Sequence, residues 1–142
     1  MNMRWAELNI HPFSINYMYE YTGEGRTDRQ RTKSYNEWRE RFFNLPIPSI
    51  VDIQFWCDID FNKPLVLEIE FVSKEWFDTD DIVKSFQDCL FEYYDRDDVI
   101  VKRVIATQRG IVDSYSKGKM RFRLSNLDYS KLEKWECEGI NN

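Results

Sequence analysis

Residues 65–106, LVLEIEFVSKEWFDTDDIVKSFQDCLFEYYDRDDVIVKRVIA, contain the pattern that decides the fold of this chain. Apolar residues alternate with other residues along 65–71, which predicts a strand. Apolar residues recur at helical spacing along 81–93 and predict an amphipathic helix. The β-branched run at 99–106 predicts another strand. A helix between two strands indicates an α/β (α+β) fold.

The N-terminal part of the chain predicts a first strand and a first helix. Alternation along residues 6–10 predicts a strand with one buried face. Ser34 and Glu37 have the spacing of a capping box, so we expect a helix to begin at Ser34. Pro46 lies beyond the end of that helix, because proline cannot continue it. The apolar face of this helix consists of Tyr35, Trp38 and Phe42.

Three further segments complete the predicted fold. Strong alternation along 50–60 predicts a strand that pairs with 65–71 as an antiparallel hairpin. Residues 119–124 predict a last strand, with apolar residues on one face and arginines on the other. Residues 128–135 are compatible with a short helix. We therefore expect residues 1–142 to form one domain, with a mixed sheet and two main helices.

The composition is that of a protein with a packed core. The chain has 142 residues, of which 42% are hydrophobic and 16% aromatic, which suits one domain. No run of residues is apolar over the roughly 18 positions that a membrane helix needs, and the first residues lack the apolar core of a signal peptide. We expect a soluble, cytoplasmic protein without a membrane partner.

The cysteine and histidine content limits the kinds of site that are possible. Cys57, Cys89 and Cys137 are odd in number and far apart, which favours reduced thiols over disulfides or a zinc site. Cys57 and Cys89 lie in apolar patterns, which favours packing in the core. His11 is the sole histidine of the sequence. A metal site in this chain must therefore use carboxylates, which suit Mg²⁺ or Mn²⁺.

Charge is distributed unevenly along the sequence. Residues 52–98 hold 14 acids and 4 bases, whereas residues 99–123 hold 7 bases and 1 acid, within a chain of net charge −5. Residues 26–41 hold 6 bases and 3 acids. A cation-dependent nuclease could use this arrangement, with acids for metal and bases for phosphate. Ordinary segregation of surface charge is the alternative.

The acidic start of the second predicted helix is the sharpest local feature. Asp78, Asp80 and Asp81 occupy three of four successive positions, and Lys84 follows one turn later. Acids at this place can simply cap the helix and interact with its dipole. One carboxylate suffices for a cap, however, and three repel one another unless a cation lies between them.

A third carboxylate for such a site is available after the helix. The helix is about 16 Å long and the following seven residues can span about 23 Å, so Asp98 can return to Asp78 and Asp80. A solvated acidic turn is the alternative interpretation. Lys84 either forms an exposed ion pair with Asp88 or holds a phosphate beside the metal.

These motifs together resemble the RusA family of Holliday junction resolvases. The resemblance includes DxDxxxKxxxDxL at residues 78–90, DDxxV at 97–101, and PFSINxxY at 12–19. It covers roughly residues 8–125, and the spacing between the acidic pairs also agrees with the family. The chain differs from the usual pattern at Phe77 and Asp81, where the family favours a basic residue and Asn. Residues 46–64 are longer than the family core.

The resemblance implies a homodimeric, Mg²⁺-dependent endonuclease that cuts four-way DNA junctions in recombination and repair. By position, Asp78, Asp80 and Asp98 would be its metal ligands and Lys84 would contact phosphate, so these four residues are the candidate catalytic set. The bases best placed in the sequence to bind DNA are Arg26, Arg29, Arg31, Lys33, Arg121 and Arg123. The alternatives are a RusA-like DNA-binding or interaction protein without turnover, and an unrelated acidic interaction protein, as from a phage.

Overall fold

Two sheets and three helices form the part of the chain described by the computed structural model, residues 4–21 and 29–140. The strands are β1 (Ala6–Leu8), β2 (Tyr19–Tyr21), β3 (Arg29–Arg31), β4 (Leu65–Ser73), β5 (Val101–Ile111) and β6 (Lys119–Asn126). The helices are α1 (Lys33–Phe43), α2 (Ile50–Cys57) and α3 (Thr79–Tyr94). The expected mixed α+β fold in one domain is confirmed.

The main sheet has the strand order β1-β6-β4-β5. Its central strand β4 pairs in parallel with β5 and antiparallel with β6, and β6 pairs antiparallel with β1. Strands β2 and β3 form a separate antiparallel pair. Because β4 and β5 are parallel neighbours, the chain must cross from one end of the sheet to the other between them, and α3 makes this crossing.

One face of the main sheet is buried beneath the helices. The side chains of Leu67 and Ile69 on β4 are fully buried, as is Phe122 beside them on β6. Phe86 of α3 packs on this face, with its ring centroid 5.6 Å from that of Phe122. Side chains alternate between the two faces of a strand, so the charged residues between these apolar ones lie on the opposite face.

The N-cap of helix α1 lies two residues before the expected position. Its N-cap is Thr32, whose hydroxyl accepts a hydrogen bond from Tyr35 N–H at 3.1 Å, so the predicted Ser34 cap is wrong. The predicted aromatic face is confirmed, because Tyr35, Trp38 and Phe42 are buried. Trp38 also donates its indole N–H to the His11 carbonyl at 2.7 Å, which ties α1 to the segment after β1.

The strand predicted for residues 50–60 is wrong, because this segment contains α2. Ser49 caps the helix by accepting a hydrogen bond from Asp52 N–H at 3.2 Å. Ile53 and Cys57, four residues apart, are buried, whereas Phe55 is 74% exposed. The predicted hairpin is therefore also wrong, and so is the expectation of two main helices.

Smaller differences concern the strand and helix limits. Strand β5 begins at Val101 and continues to Ile111, whereas the sequence predicted residues 99–106. The helix predicted at 128–135 is reduced to a short 3-10 turn, Tyr129–Lys131. Within the described residues, none of the helices is long and apolar enough to cross a membrane.

Candidate metal and phosphate site

Asp78 lies at the acidic N-terminus of α3. This residue is the N-cap, with extended dihedral angles (φ −63°, ψ 131°), and its carbonyl accepts a hydrogen bond from Asp81 N–H at 2.9 Å. Its carboxylate makes no capping hydrogen bond. Asp80 and Asp81 lie in the first turn, where the helix dipole favours negative charge. The exposed Asp78 carboxylate is therefore not used as a helix cap.

The loop that leads into α3 is fixed by two side chains from other elements. Phe77 N–H donates to the side-chain oxygen of Gln108 on β5 at 2.9 Å. Lys74 N–H donates to Nε2 of His11 at 3.0 Å. His11 is buried, and burial lowers its pKa below the usual 6.5, which keeps Nε2 unprotonated as an acceptor. These contacts set the position of Asp78 relative to the sheet.

Asp98 is returned to α3 by a tight reversal after the helix. Asp95 at the C-cap is left-handed (φ 54°, ψ 48°), and Arg96 N–H donates to the Phe91 carbonyl at 3.0 Å. A 3-10 turn, Asp98–Ile100, then leads into β5. Gln87 on α3 donates from Nε2 to Oδ2 of Asp98 at 3.3 Å. After this reversal, Asp98 lies within hydrogen-bonding distance of α3, at Gln87.

Asp80, Lys84 and Asp98 line one open cavity of about 310 Å³. Gln87 and Asp88 also line it, so two acids of this cavity come from α3 and one from the following turn. Asp78 is not part of its wall. Within the part of the chain that the structure describes, no cluster of three or more acidic, thiol or imidazole side chains is arranged to hold a metal ion.

Lys84 adds the positive charge of this cavity. Its Nζ contacts Oδ2 of Asp88 at 3.0 Å, so the ion pair considered from the sequence is present. The hydrogen bond to Asp88 is the main cause that raises the Lys84 pKa, and the charge of Asp98 adds to it. The ammonium therefore stays charged at the edge of the cavity, within reach of solvent, since its side chain is 46% exposed.

The donor chemistry of the cavity fits a hard divalent cation. Its acidic groups are carboxylates, the ligands that Mg²⁺ and Mn²⁺ prefer. Cys57 and Cys89 are buried in the core and the thiol of Cys89 has a pKa raised to about 11 by burial, so neither is a soft ligand for this place. Asp80 and Asp98 would hold the cation, and Asp78 lies two residues from Asp80 on the same turn.

The predicted DNA-binding bases near the N-terminus lie on β3 and at the start of α1. The Arg29 guanidinium stacks over the ring of Tyr19 at 4.3 Å. Arg31 lines a second cavity that adjoins the first. Lys33 is exposed and approaches Glu37 at 3.9 Å. Arg26, which was also predicted to bind DNA, lies outside the described residues.

Arg121 and Arg123 lie on the other face of the sheet. They alternate along β6 with buried residues that face α3, so their side chains point away from α3. Arg121 is paired with Glu70, and Arg123 with Glu68 at 3.1 Å. Both guanidinium groups also stack on the ring of Trp5 at 4.3 Å. The structure therefore separates these two arginines from the cavity that contains Asp80.

Sequence reasoning missed several residues of the two cavities, chiefly Gln87, Arg39 and Arg96. Arg39 is buried and donates to Glu92 at 2.5 Å. It occupies a position of the aromatic face of α1, which was a detectable signal, because a charged residue in such a face needs a partner. Gln87 lies one turn after Lys84 on α3, which places it on the same side of the helix.

No protein-family model matches this chain, and no curated protein is a significant match.

Proposed function

We propose that this protein is a Mg²⁺-dependent, structure-selective DNA endonuclease of the RusA type that resolves four-way junctions. The observation that supports the proposal best is the cavity in which Asp80 and Lys84, one turn apart on α3, lie together with Asp98 from the turn after the helix. The resemblance at residues 12–19, 78–90 and 97–101 supports the same activity.

Each residue of the cavity has a role in this proposal. Asp80 and Asp98 would hold the cation, and Asp78, which lies outside the cavity wall at the N-cap of α3, would have to turn towards Asp80 to join them. When bound, the divalent cation activates water for in-line attack on phosphorus and stabilises the leaving 3′ oxygen. Lys84 holds a non-bridging oxygen of the scissile phosphate by charge-assisted hydrogen bonding. Gln87 orients Asp98 through their hydrogen bond.

The proposal includes a homodimer. Resolution of a four-way junction requires cuts in two strands, and a two-fold dimer presents two equivalent sites to a junction of similar symmetry. Arg29, Arg31 and Lys33 are the bases that we assign to phosphate contacts near each site, because β3 leads directly to α1 beside the cavities.

Cutting of a labelled four-way junction tests the proposal. Purified protein is incubated with the junction and with linear duplex, in Mg²⁺ or in chelator, and products are resolved on a denaturing gel. We expect junction-selective cutting in Mg²⁺ alone. Asp80→Asn should abolish it, because the variant loses a metal-binding charge. Cutting in chelator, or full activity of Asp80→Asn, would contradict the proposed site.

Asp81→Asn is the matched control. It makes the same change of charge in the same first turn, at a residue outside the cavity wall, and it should retain activity. Equal loss in both variants would indicate a general effect of charge at the helix start. Tight junction binding without any cutting by the wild-type protein would favour the alternative of a RusA-like DNA-binding protein.

A further inference from the structure

A second cavity, of about 350 Å³, adjoins the candidate metal site. Asp88 and Asp98 line both cavities, so the two spaces meet at these carboxylates. The wall of the second cavity brings together Arg31 from β3, Arg96 from the loop after α3, and Tyr19 from β2. It is thus formed by three parts of the chain that are far apart in sequence.

Backbone hydrogen bonds fix the chain at Tyr19, Arg31 and Arg96. Tyr19 and Arg31 are direct partners in the β2–β3 ladder, so their side chains are on the same face of the hairpin. The Tyr19 ring is stacked against Arg29 at 4.3 Å. Arg96 follows the left-handed residue Asp95, and its N–H is bonded to Phe91 of α3. These contacts fix the backbone at the three positions, and the side chains of Arg31 and Arg96 are exposed to solvent.

The charges of the second cavity leave two arginines available. Of the four acids in its wall, Glu92 pairs with Arg39, Asp88 pairs with Lys84 and Asp98 is assigned to the cation, which leaves the charge of Asp97 against those of Arg31 and Arg96. Within the described ranges, 4–21 and 29–140, neither Arg31 nor Arg96 forms an ion pair. Two guanidinium groups on one cavity wall favour an anion between them, and arginine suits phosphate oxygens especially well.

We infer that this cavity is a backbone subsite, in which Arg31 and Arg96 bind a DNA phosphate next to the scissile one, with Tyr19 between the two positions. The inference rests on the proposed function, because that function makes DNA the ligand. Consecutive phosphates of one strand would then occupy the two adjoining cavities. The subsite fixes the strand relative to Asp98, which lies with Asp88 at the boundary of both spaces.

Binding measurements without cutting test the subsite separately from nuclease activity. Affinity for a fluorescein-labelled four-way junction is measured by anisotropy in Ca²⁺ over a salt series, with a gel to show that the DNA is intact. Arg31→Gln and Arg96→Gln should each weaken binding about tenfold, the loss typical of a charge-assisted hydrogen bond. Each should also lower the slope of log affinity against log salt by about 0.9, the value of one phosphate contact.

Two further variants separate charge from folding. Arg96→Lys keeps the charge and should keep the salt slope, although the bidentate geometry is lost. Arg103→Gln removes an arginine of β5 that is paired in register with Val66, on the sheet face opposite α3, and should bind as the wild type does. Thermal unfolding of every variant shows that it is folded.

The outcomes are distinguishable from those of the nuclease test. Unchanged affinity and slope in Arg31→Gln and Arg96→Gln would overturn the subsite, even if the wild type cuts junctions. Weakened binding in these variants but not in Arg103→Gln would support the subsite, even if the wild type proves unable to cut. Loss of slope in Arg103→Gln to the same degree would also overturn it, because binding would then depend on overall charge.

Discussion

Replacement of Gly118 by alanine tests how closely the residue before β6 packs against His11, which binds the loop that leads into α3. An alanine Cβ at this position would lie 2.3 Å from Cδ2 and 2.7 Å from Cγ of the His11 ring. Gly118 has ordinary backbone dihedral angles (φ −61°, ψ 139°), so alanine adds no conformational strain. The whole effect of the substitution therefore comes from steric overlap with His11.

The size of the effect follows from how firmly His11 is held. Its ring stacks on Tyr115 at a centroid distance of 4.1 Å, Nδ1 donates to the Pro12 carbonyl at 2.8 Å, and Nε2 accepts from Lys74 N–H at 3.0 Å. A ring with these contacts cannot move away without losing them. We expect Gly118→Ala to lower the free energy of unfolding by about 2 kcal/mol, in the range of overpacking, and Tm by about 4–8 °C.

A double-mutant cycle identifies the cause. Free energies of unfolding are measured in denaturant for the wild type, Gly118→Ala, His11→Ala and the double variant. His11→Ala alone should also destabilise, because it removes the acceptor of Lys74 N–H. Gly118→Ala should cost less in the His11→Ala background, where only the contact with Cβ of residue 11 at 2.9 Å remains, which leaves a coupling energy of about 1 kcal/mol. An equal cost of Gly118→Ala in both backgrounds would refute the steric explanation.

Three other predictions concern stability. The pKa of His11 is lowered in the folded protein, so the unfolded chain binds more protons than the folded one as the pH falls below 6.5. The free energy of unfolding should therefore decrease as the pH drops through this value. In thermal scans, His11→Gln should show a smaller decrease. Phe86→Ala should cost about 3–5 kcal/mol in denaturant unfolding, because Phe86 is fully buried between aromatic rings, and a cost near zero would contradict the packing. Glu92→Leu should destabilise the protein more than Arg39→Leu. Loss of Glu92 leaves the buried Arg39 guanidinium unpaired, whereas loss of Arg39 leaves a carboxylate that is half exposed to water. The reverse order in the same assay would contradict this explanation.

Local patterns predicted those elements in which one periodicity was possible. Strand β4 alternates over its whole length and was recognised, and the aromatic face of α1 and the apolar face of α3 were also recognised. Residues 50–57 were ambiguous, because Ile53 and Cys57 are both two strand repeats and one helical turn apart. The Ser49 cap and the exposure of Phe55, which a strand would place on the same face as this buried pair, decide for the helix.

The pairing of strands could not be obtained from neighbouring segments. The sequence suggested that β4 pairs with the residues just before it, whereas its partners are β5 and β6, which come later in the chain. A strand of alternating pattern specifies which face is buried and leaves open which strands lie beside it. Helix α3 connects β4 to β5 and packs against one face of the sheet, which brings β5 beside β4.

For the candidate site, the sequence by itself limited which side chains could bind a metal ion. One histidine and three separate cysteines left carboxylates as metal ligands, and the spacing of Asp80, Lys84 and Asp98 made their approach possible. These conclusions depend on residue types and chain lengths, which are fixed before folding.

Only the tertiary structure decided which of these groups lie together. It placed Asp80, Lys84 and Asp98 in one cavity, left Asp78 outside its wall, and turned Arg121 and Arg123 to the far face of the sheet. It also added Gln87 and Arg96, which no motif had marked. The physical reason is that a cavity is formed where the chain returns upon itself, and the direction of that return depends on packing across the whole core.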